Sequence, residues 1–156
     1  MSFEGLDDVI TLCEYTFNMT RKIVGKSIYP GAQIMLREAE RATANIITDA
    51  THTDKMRRGP TERQKQGLIE SLGVAPIRKD TWGWNVKIGY DGYNDIVTKK
   101  YQKGQPNIMI ARSVESGTSF MYPQHFMERA VQRVRQQVEE AIEQQFYEEM
   151  KAIWEK

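Results

Sequence analysis

The sequence predicts an α+β fold in which a small antiparallel sheet is covered by helices and a long helix closes the chain. Three observations predict it. From Phe126 an apolar stripe of Ala130, Val134, Val138, Ile142, Phe146, Met150 and Ile153 recurs at helical spacing almost to the C-terminus. Upstream, Trp82, Trp84, Val86, Ile88 and Tyr90 alternate with Gly83, Asn85, Lys87 and Gly89, the period of a strand with one apolar face. Before that strand the pattern is helical again. The composition agrees: 156 residues, 40% hydrophobic and 28% charged, suit one domain able to bury a real core without metal or disulfide. It divides into a helical part (1–60), a sheet-containing body (61–122) and the long helix (123–156).

In chain order, Leu6, Val9, Ile10, Cys13, Phe17 and Val24 form the first helical stripe, interrupted by Gly25, Ser27, Tyr29, Pro30 and Gly31. A second helix opens at Pro30, uses Ile34, Met35, Leu36, Ala39, Ala42 and Ile46, and ends near Ala50. The polar run Thr51–Pro60 has no apolar period and reads as a mobile loop or hinge. Thr61 with Gln64 forms a capping box for a helix over Glu62–Leu72, which Gly73 stops. Val74–Ile77 is the predicted antiparallel partner of the main strand across a turn at Arg78–Thr81, with Pro76 confining it to an edge. Asp91-Gly92 ends the main strand, Ile96–Tyr101 is a further candidate strand, and Lys103–Pro106 is a loop. Ile108, Met109, Ala111 and Val114 then make a short helix that stops at Gly117, a position suited to positive φ. Pro123 fits the first turn of the last helix.

At least thirty residues of that helix would make a rod of about 45 to 50 Å, long beside the ~15 Å radius of gyration of a compact chain of this size. Either part of the rod outreaches its own core and offers Phe146, Met150, Ile153 and Trp154 to a neighbour, or the N-terminal helices pack along all of it.

Charge and chemistry exclude several functions. Lys and Arg number 22 against 21 Asp and Glu, a net charge of +1, so no global field draws the chain to nucleic acid or an anionic membrane. One cysteine, Cys13, excludes an internal disulfide and suits a reducing compartment, and no apolar run is long enough for a secretory segment or a spanning helix. Cytoplasmic synthesis is the expectation. His52 and His125 are 73 residues apart and lack partners at zinc spacing, so no metal site is expected. Cys13 sits in an apolar stripe, where a thiol is inert. Glu115, beside Gly117 and Thr118, reads as a helix cap or a local ion pair, for one glycine in a turn is no phosphate cradle. Lys55, Arg57, Arg58, Arg63 and Lys65 place five positive charges within eleven residues, a solvated face or a local phosphate contact. Lys99, Lys100 and Lys103 around Tyr101 form a second basic patch without a ladder of stacking residues.

One stretch joins these parts. Ile110 to Ala130 has the form of a short helix, Glu-x-Gly-Thr-Ser, a spacer, Pro-x-x-Phe-x-x-x-Ala and a long helix, carried by Glu115, Gly117, Thr118, Ser119, Pro123, Phe126 and Ala130. With the strand and Gly-Tyr turn of Trp82 to Asn94, it resembles the C-terminal half of the tailed-bacteriophage head–tail joining proteins, the small neck or tail-completion proteins of phages and prophages. The resemblance covers roughly Leu68 to Val131. It implies a structural virion-assembly protein, without enzymatic activity, cofactor or metal, made in the bacterial cytoplasm and then held in the virion neck or tail. Its partners would be the head connector, tail proteins and further copies of itself in a ring. Glu115, Gly117, Thr118, Pro123 and Phe126 would lie at interfaces, with Phe146, Met150 and Trp154 added by the rod argument. Loops of such a ring would meet passing DNA without reading it.

Two rivals come from other classes. A small nucleic-acid-binding accessory protein would use Lys55 to Lys65, and a small hydrolase would need a water-activating pair such as Glu115 and His125.

Overall fold

Two long helices that run antiparallel to each other form the frame. The computed structural model describes residues 4–50 and 56–155, in the order α1 Glu4–Ala44, α2 Glu62–Ser71, β1 Leu72–Val74, β2 Arg78–Asp80, β3 Gly83–Asn85, β4 Ile88–Tyr90, α3 Asn107–Ser116 and α4 Phe126–Trp154. Among the described residues these four helices and two two-stranded antiparallel sheets make an α+β fold with a long C-terminal helix.

Helix α1 is one uninterrupted element of 41 residues with Pro30 inside it, where the sequence predicts two helices parted at Gly25 to Gly31. An internal proline removes one helical hydrogen bond and costs about 3 kcal/mol, so packing has to offset it. Gly31 shows how. A Cβ there would stand 2.6 Å from Ile142 Cγ1 and 3.1 Å from Val138 Cγ1, so the glycine lets α1 press its backbone against α4 instead of ending the helix. Ion pairs mark the rest of the seam, Lys26 Nζ to Glu149 Oε2 at 2.9 Å and Arg133 Nε to Glu38 Oε1 at 2.6 Å. Helix α1 therefore covers α4 along its length, the second of the two arrangements expected for the rod. Past the Lys26–Glu149 pair α4 continues only to Trp154, whereas α1 reaches back to Glu4. Helix α1 ends at Ala44, short of the expected Ala50, and the side chains of Leu6, Val9, Ile10, Cys13 and Phe17 lie outside the described residues.

Helix α2 begins as expected: Thr61 Oγ1 accepts from Gln64 N at 3.3 Å while Gln64 Oε1 accepts from Thr61 N at 3.0 Å. It ends at Ser71, and Gly73, expected to stop it, lies in β1. The following hairpin differs from the continuous strand expected over Trp82–Tyr90. Strand β1 pairs with β4 through Leu72↔Tyr90 and Val74↔Ile88, and β2 with β3 through Arg78↔Asn85 and Asp80↔Gly83. Between the two ladders Ala75, Pro76 and Ile77 face only Val86 and Lys87, so the first arm carries one extra residue, a bulge. Pro76 lacks the N–H a ladder would need there. The turn is Thr81-Trp82 rather than Arg78–Thr81. Trp82, expected on the strand's apolar face, is 96% exposed at its tip, while Trp84, Val86, Ile88 and Tyr90 are half-buried.

Ile96–Tyr101 forms no strand. Thr98 and Tyr101 exchange backbone hydrogen bonds of 3.1 Å in a turn, and Asn94 Oδ1 accepts from the N–H groups of Ile96 and Gln105, both at 3.0 Å, which ties the loop to itself. One core gathers Ala42 and Ile46, Leu68 of α2, Ile110, Ala111 and Val114 of α3, and Met121, Phe126 and Ala130. Tyr90 seals its edge: the ring is 6.4 Å from that of Phe126 and the hydroxyl 2.6 Å from Thr43 Oγ1.

Candidate functional site

The stretch between α3 and α4 is where most of the singled-out residues meet. Helix α3 stops at Ser116, and Gly117 takes φ 74° and ψ 176°, with its N–H on Ser113 O at 2.9 Å. Positive φ was expected; ψ places the residue in the extended, glycine-only region rather than the left-handed helical one. A Cβ at Gly117 would also stand 2.9 Å from Met121 O and from Pro123 N, so only glycine lets the chain fold back over itself. Thr118 and Met121 close the turn through backbone bonds of 2.9 and 3.4 Å. The returning chain then donates from Gln124 N to Val114 O at 2.8 Å and from His125 N to Glu115 O at 3.1 Å. These carbonyls of the last turn of α3 have no helical partner, and the returning strand satisfies them.

Helix α4 starts at Phe126, so Pro123 precedes it instead of occupying its first turn. His125 at the N-cap has φ 46° and ψ 38°, left-handed for a non-glycine residue, and its side chain caps nothing. Glu115 supplies the cap from α3. Its Oε2 accepts from Met127 N at 2.9 Å and its Oε1 from Glu128 N at 3.0 Å, a carboxylate set against the positive end of the helix dipole. Of the roles the sequence allows Glu115, the structure shows helix capping, carried between two helices.

Gln124 is the residue that sequence reasoning missed. Its Oε1 accepts from Ile47 N at 2.9 Å, and its Nε2 donates to Ile47 O at 2.8 Å and Arg58 O at 3.0 Å. One carboxamide thus mimics a backbone strand for two segments at once. Arg57 adds bonds of 2.9 Å to Phe120 O and from Tyr122 N, and Gly59 is buried so close to Ile47 O that a Cβ would overlap it. Residues 56–60, expected to be mobile, are stitched to the junction. Residues 51–55, with His52 and Lys55, lie outside the described residues.

Of the described residues named for DNA contact, Arg63 is paired with an acid, Asp95, Nη2 to Oδ2 at 2.7 Å, and this bond holds the Asp95 carboxyl below its ordinary range. Lys65 is half-buried on α2, and Arg57 and Arg58 belong to the stitched segment. Glu115, Gly117, Thr118, Pro123 and Phe126 come together at the junction. Phe146, Met150 and Trp154 do not: α4 has 29 residues, about 43 Å, and they lie toward its far end. Phe146 and Trp154 are exposed and Met150 is half-buried.

Ligand atoms of Glu115, His125 and Glu128 fall within 4.8 Å of one another, so the pair considered for a hydrolase does approach, with a third polar group. Both Glu115 oxygens, however, are engaged by backbone N–H groups, and the side chains of His125 and Glu128 are exposed. Two clefts are lined by other residues. One of about 270 Å³ is walled by Arg41, Ile47, Gln124, Phe126, Arg129 and Arg133. A second of about 480 Å³ includes Arg63, Asp91, Tyr93, Asn94, Asp95 and Asn107. Beside it Asn107 Oδ1 is buried without a hydrogen-bond partner among the described residues and faces Gly67, whose Cβ would lie 3.1 Å away.

Comparison of the chain with protein-family models, with curated proteins and with solved structures gave no match. The class established by the coordinates is therefore that of the fold alone.

Proposed function

We propose that this chain is a structural virion-assembly protein of a tailed phage or prophage, a neck or tail-completion component that joins the head connector to the tail. It acts by binding, with no catalytic residue, cofactor or metal, and works as a ring of copies through which DNA passes. One observation supports this reading above the others. Glu115, Gly117, Thr118, Pro123, Phe126 and Ala130, which carry the resemblance, form one junction: a fold-back that only glycine permits, a cap reaching between helices, and two core side chains. Such a junction fixes the angle between α3 and α4, which a docking protein needs and a solvated loop does not. Exposed Phe120 and Tyr122 at its turn, and Trp154 at the end of α4, offer apolar surface beyond what the chain covers itself.

The test is assembly. Silencing the gene in the phage or prophage that carries it should leave filled heads and unattached tails in the lysate, and purified protein should restore joined particles. Normal particles in the silenced lysate would refute the assignment. Loss of a step before head filling would move the protein to another part of the assembly.

A further inference from the structure

The 270 Å³ cleft at the start of α4 brings three guanidinium groups together, Arg41 from α1 with Arg129 and Arg133 from α4. Glu38 answers only part of that charge: it binds Arg133 Nε at 2.6 Å and lies 3.9 Å from Arg41 Nη1. Arg129 is spent on the main-chain carbonyls of Gln124 and His125, which carry no formal charge. The cleft thus keeps a positive surplus beside an apolar wall of Phe126 and the exposed Ile47. Planar guanidinium groups in such a place are matched to carboxylates.

The complement stands further along the same helix. From Gln136 to Glu149 α4 holds five glutamates and no lysine or arginine. Glu140, Glu143, Tyr147 and Trp154 follow one another at spacings of three, four and seven residues, which puts them on one side of the helix. All four are exposed, Tyr147 at 63% and Trp154 at 79%. At 100° per residue Arg129 and Arg133 fall on that side too, so one face of α4 is basic in its first half and acidic with aromatics in its second. A rigid helix cannot fold these halves onto each other, but a second copy laid antiparallel satisfies both at once.

We infer that the protein self-associates through this face, with the Glu140–Glu143–Tyr147 stripe of each copy seated on the Arg41–Arg129–Arg133 cleft of the other. The contact is isologous and closes at two subunits. It does not depend on the neck assignment, since it rests on the charges and aromatics of α1 and α4 alone. Tyr147, one turn beyond Glu143, comes beside the arginine groups in the pair, where an aromatic face meets a cation.

The full chain is examined by light scattering after size exclusion, over a concentration series in low and in high salt. The expected result is a mass rising from 18.1 kDa to twice that in low salt, with the dimer weakened at least tenfold in high salt. Two reversal variants follow, Arg41→Glu with Arg129→Glu, and Glu140→Lys with Glu143→Lys. Each alone should be monomeric, because its cleft and its stripe then carry the same sign. Mixed in equal amounts they should pair with each other, because each then presents the charge the other lacks. If a reversal variant melts well below the parent, Arg41→Gln with Arg129→Gln replaces it, with a smaller loss of the same sign. The inference is overturned by a parent that stays monomeric throughout the series, by a dimer indifferent to both variants, or by a mixture that does not pair. It is equally overturned if the arginine variants lose binding of a duplex DNA fragment and leave the mass unchanged, which would make the cleft a phosphate site. Particle assembly tests the neck reading and solution mass tests the pairing, so each can fail alone.

Discussion

Replacing Glu115 by alanine removes both acceptors of the α4 cap at one stroke. The Met127 and Glu128 N–H groups would lose bonds of 2.9 and 3.0 Å, and His125 has no side-chain cap to take over. Loss of a helix N-cap costs about 1 kcal/mol, within a range of 0.5 to 2, and loss of the carboxylate charge at the dipole's positive end adds about 0.3 to 1 kcal/mol. Together they predict roughly 1 to 3 kcal/mol, toward the lower end where water replaces part of the loss at the exposed Glu128. At about 2 to 4 °C per kcal/mol for a chain of this size, the melting temperature should fall by roughly 2 to 12 °C. Glu115→Gln keeps one carbonyl oxygen and should lose about half as much. Thermal melting by circular dichroism measures the total, and amide hydrogen exchange at Met127 and Glu128 locates it. If Glu115→Ala melts with the parent, or if exchange quickens everywhere but at those two amides, the cap does not hold α4 and the reasoning is wrong.

Gly117→Val should cost more than about 1 kcal/mol, because a β-branched residue is strained at positive φ and its Cβ would meet Met121 O and Pro123; denaturant unfolding gives the value, and a neutral result would show that the fold-back can relax. Burial, with a smaller contribution from Glu115 and against the effect of the Thr43 bond, pushes the Tyr90 phenol up to about 12. The native state therefore holds a proton that the unfolded chain releases from about pH 10. Stability should fall as pH rises from about 10 to 12, and Tyr90→Phe, melted over the same range, should flatten that fall. In the hairpin, Trp82→Ala should change stability by less than about 0.5 kcal/mol, whereas the half-buried Ile88→Ala should cost about 1; equal losses in urea melts would place Trp82 on a covered face after all.

What the sequence determined by itself was local. The Thr61–Gln64 capping box, the Asp91-Gly92 turn with Gly92 at φ 66°, the end of α3 at a glycine with positive φ and the stripe of α4 depend on residues a few positions apart, and a single chain displays those. The α+β class followed from the same short periods. Tertiary structure decided whatever depends on distant partners. Proline and two glycines look like a break at residues 25–31, but α1 continues because α4 lies close enough to Gly31 for packing to outweigh the lost hydrogen bond. Alternation from Trp82 to Tyr90 is real, yet register belongs to a pair of strands, and the extra residue at Pro76 on the other arm divided one ladder into two. Gln124 was unreadable for the same reason, since an exposed-looking amide becomes a clamp only when residues 47 and 58 are brought to it. Glu115 could be read as a helix cap, but the helix it caps is the next one, because Gly117 turns the chain back and delivers the start of α4 to its carboxylate.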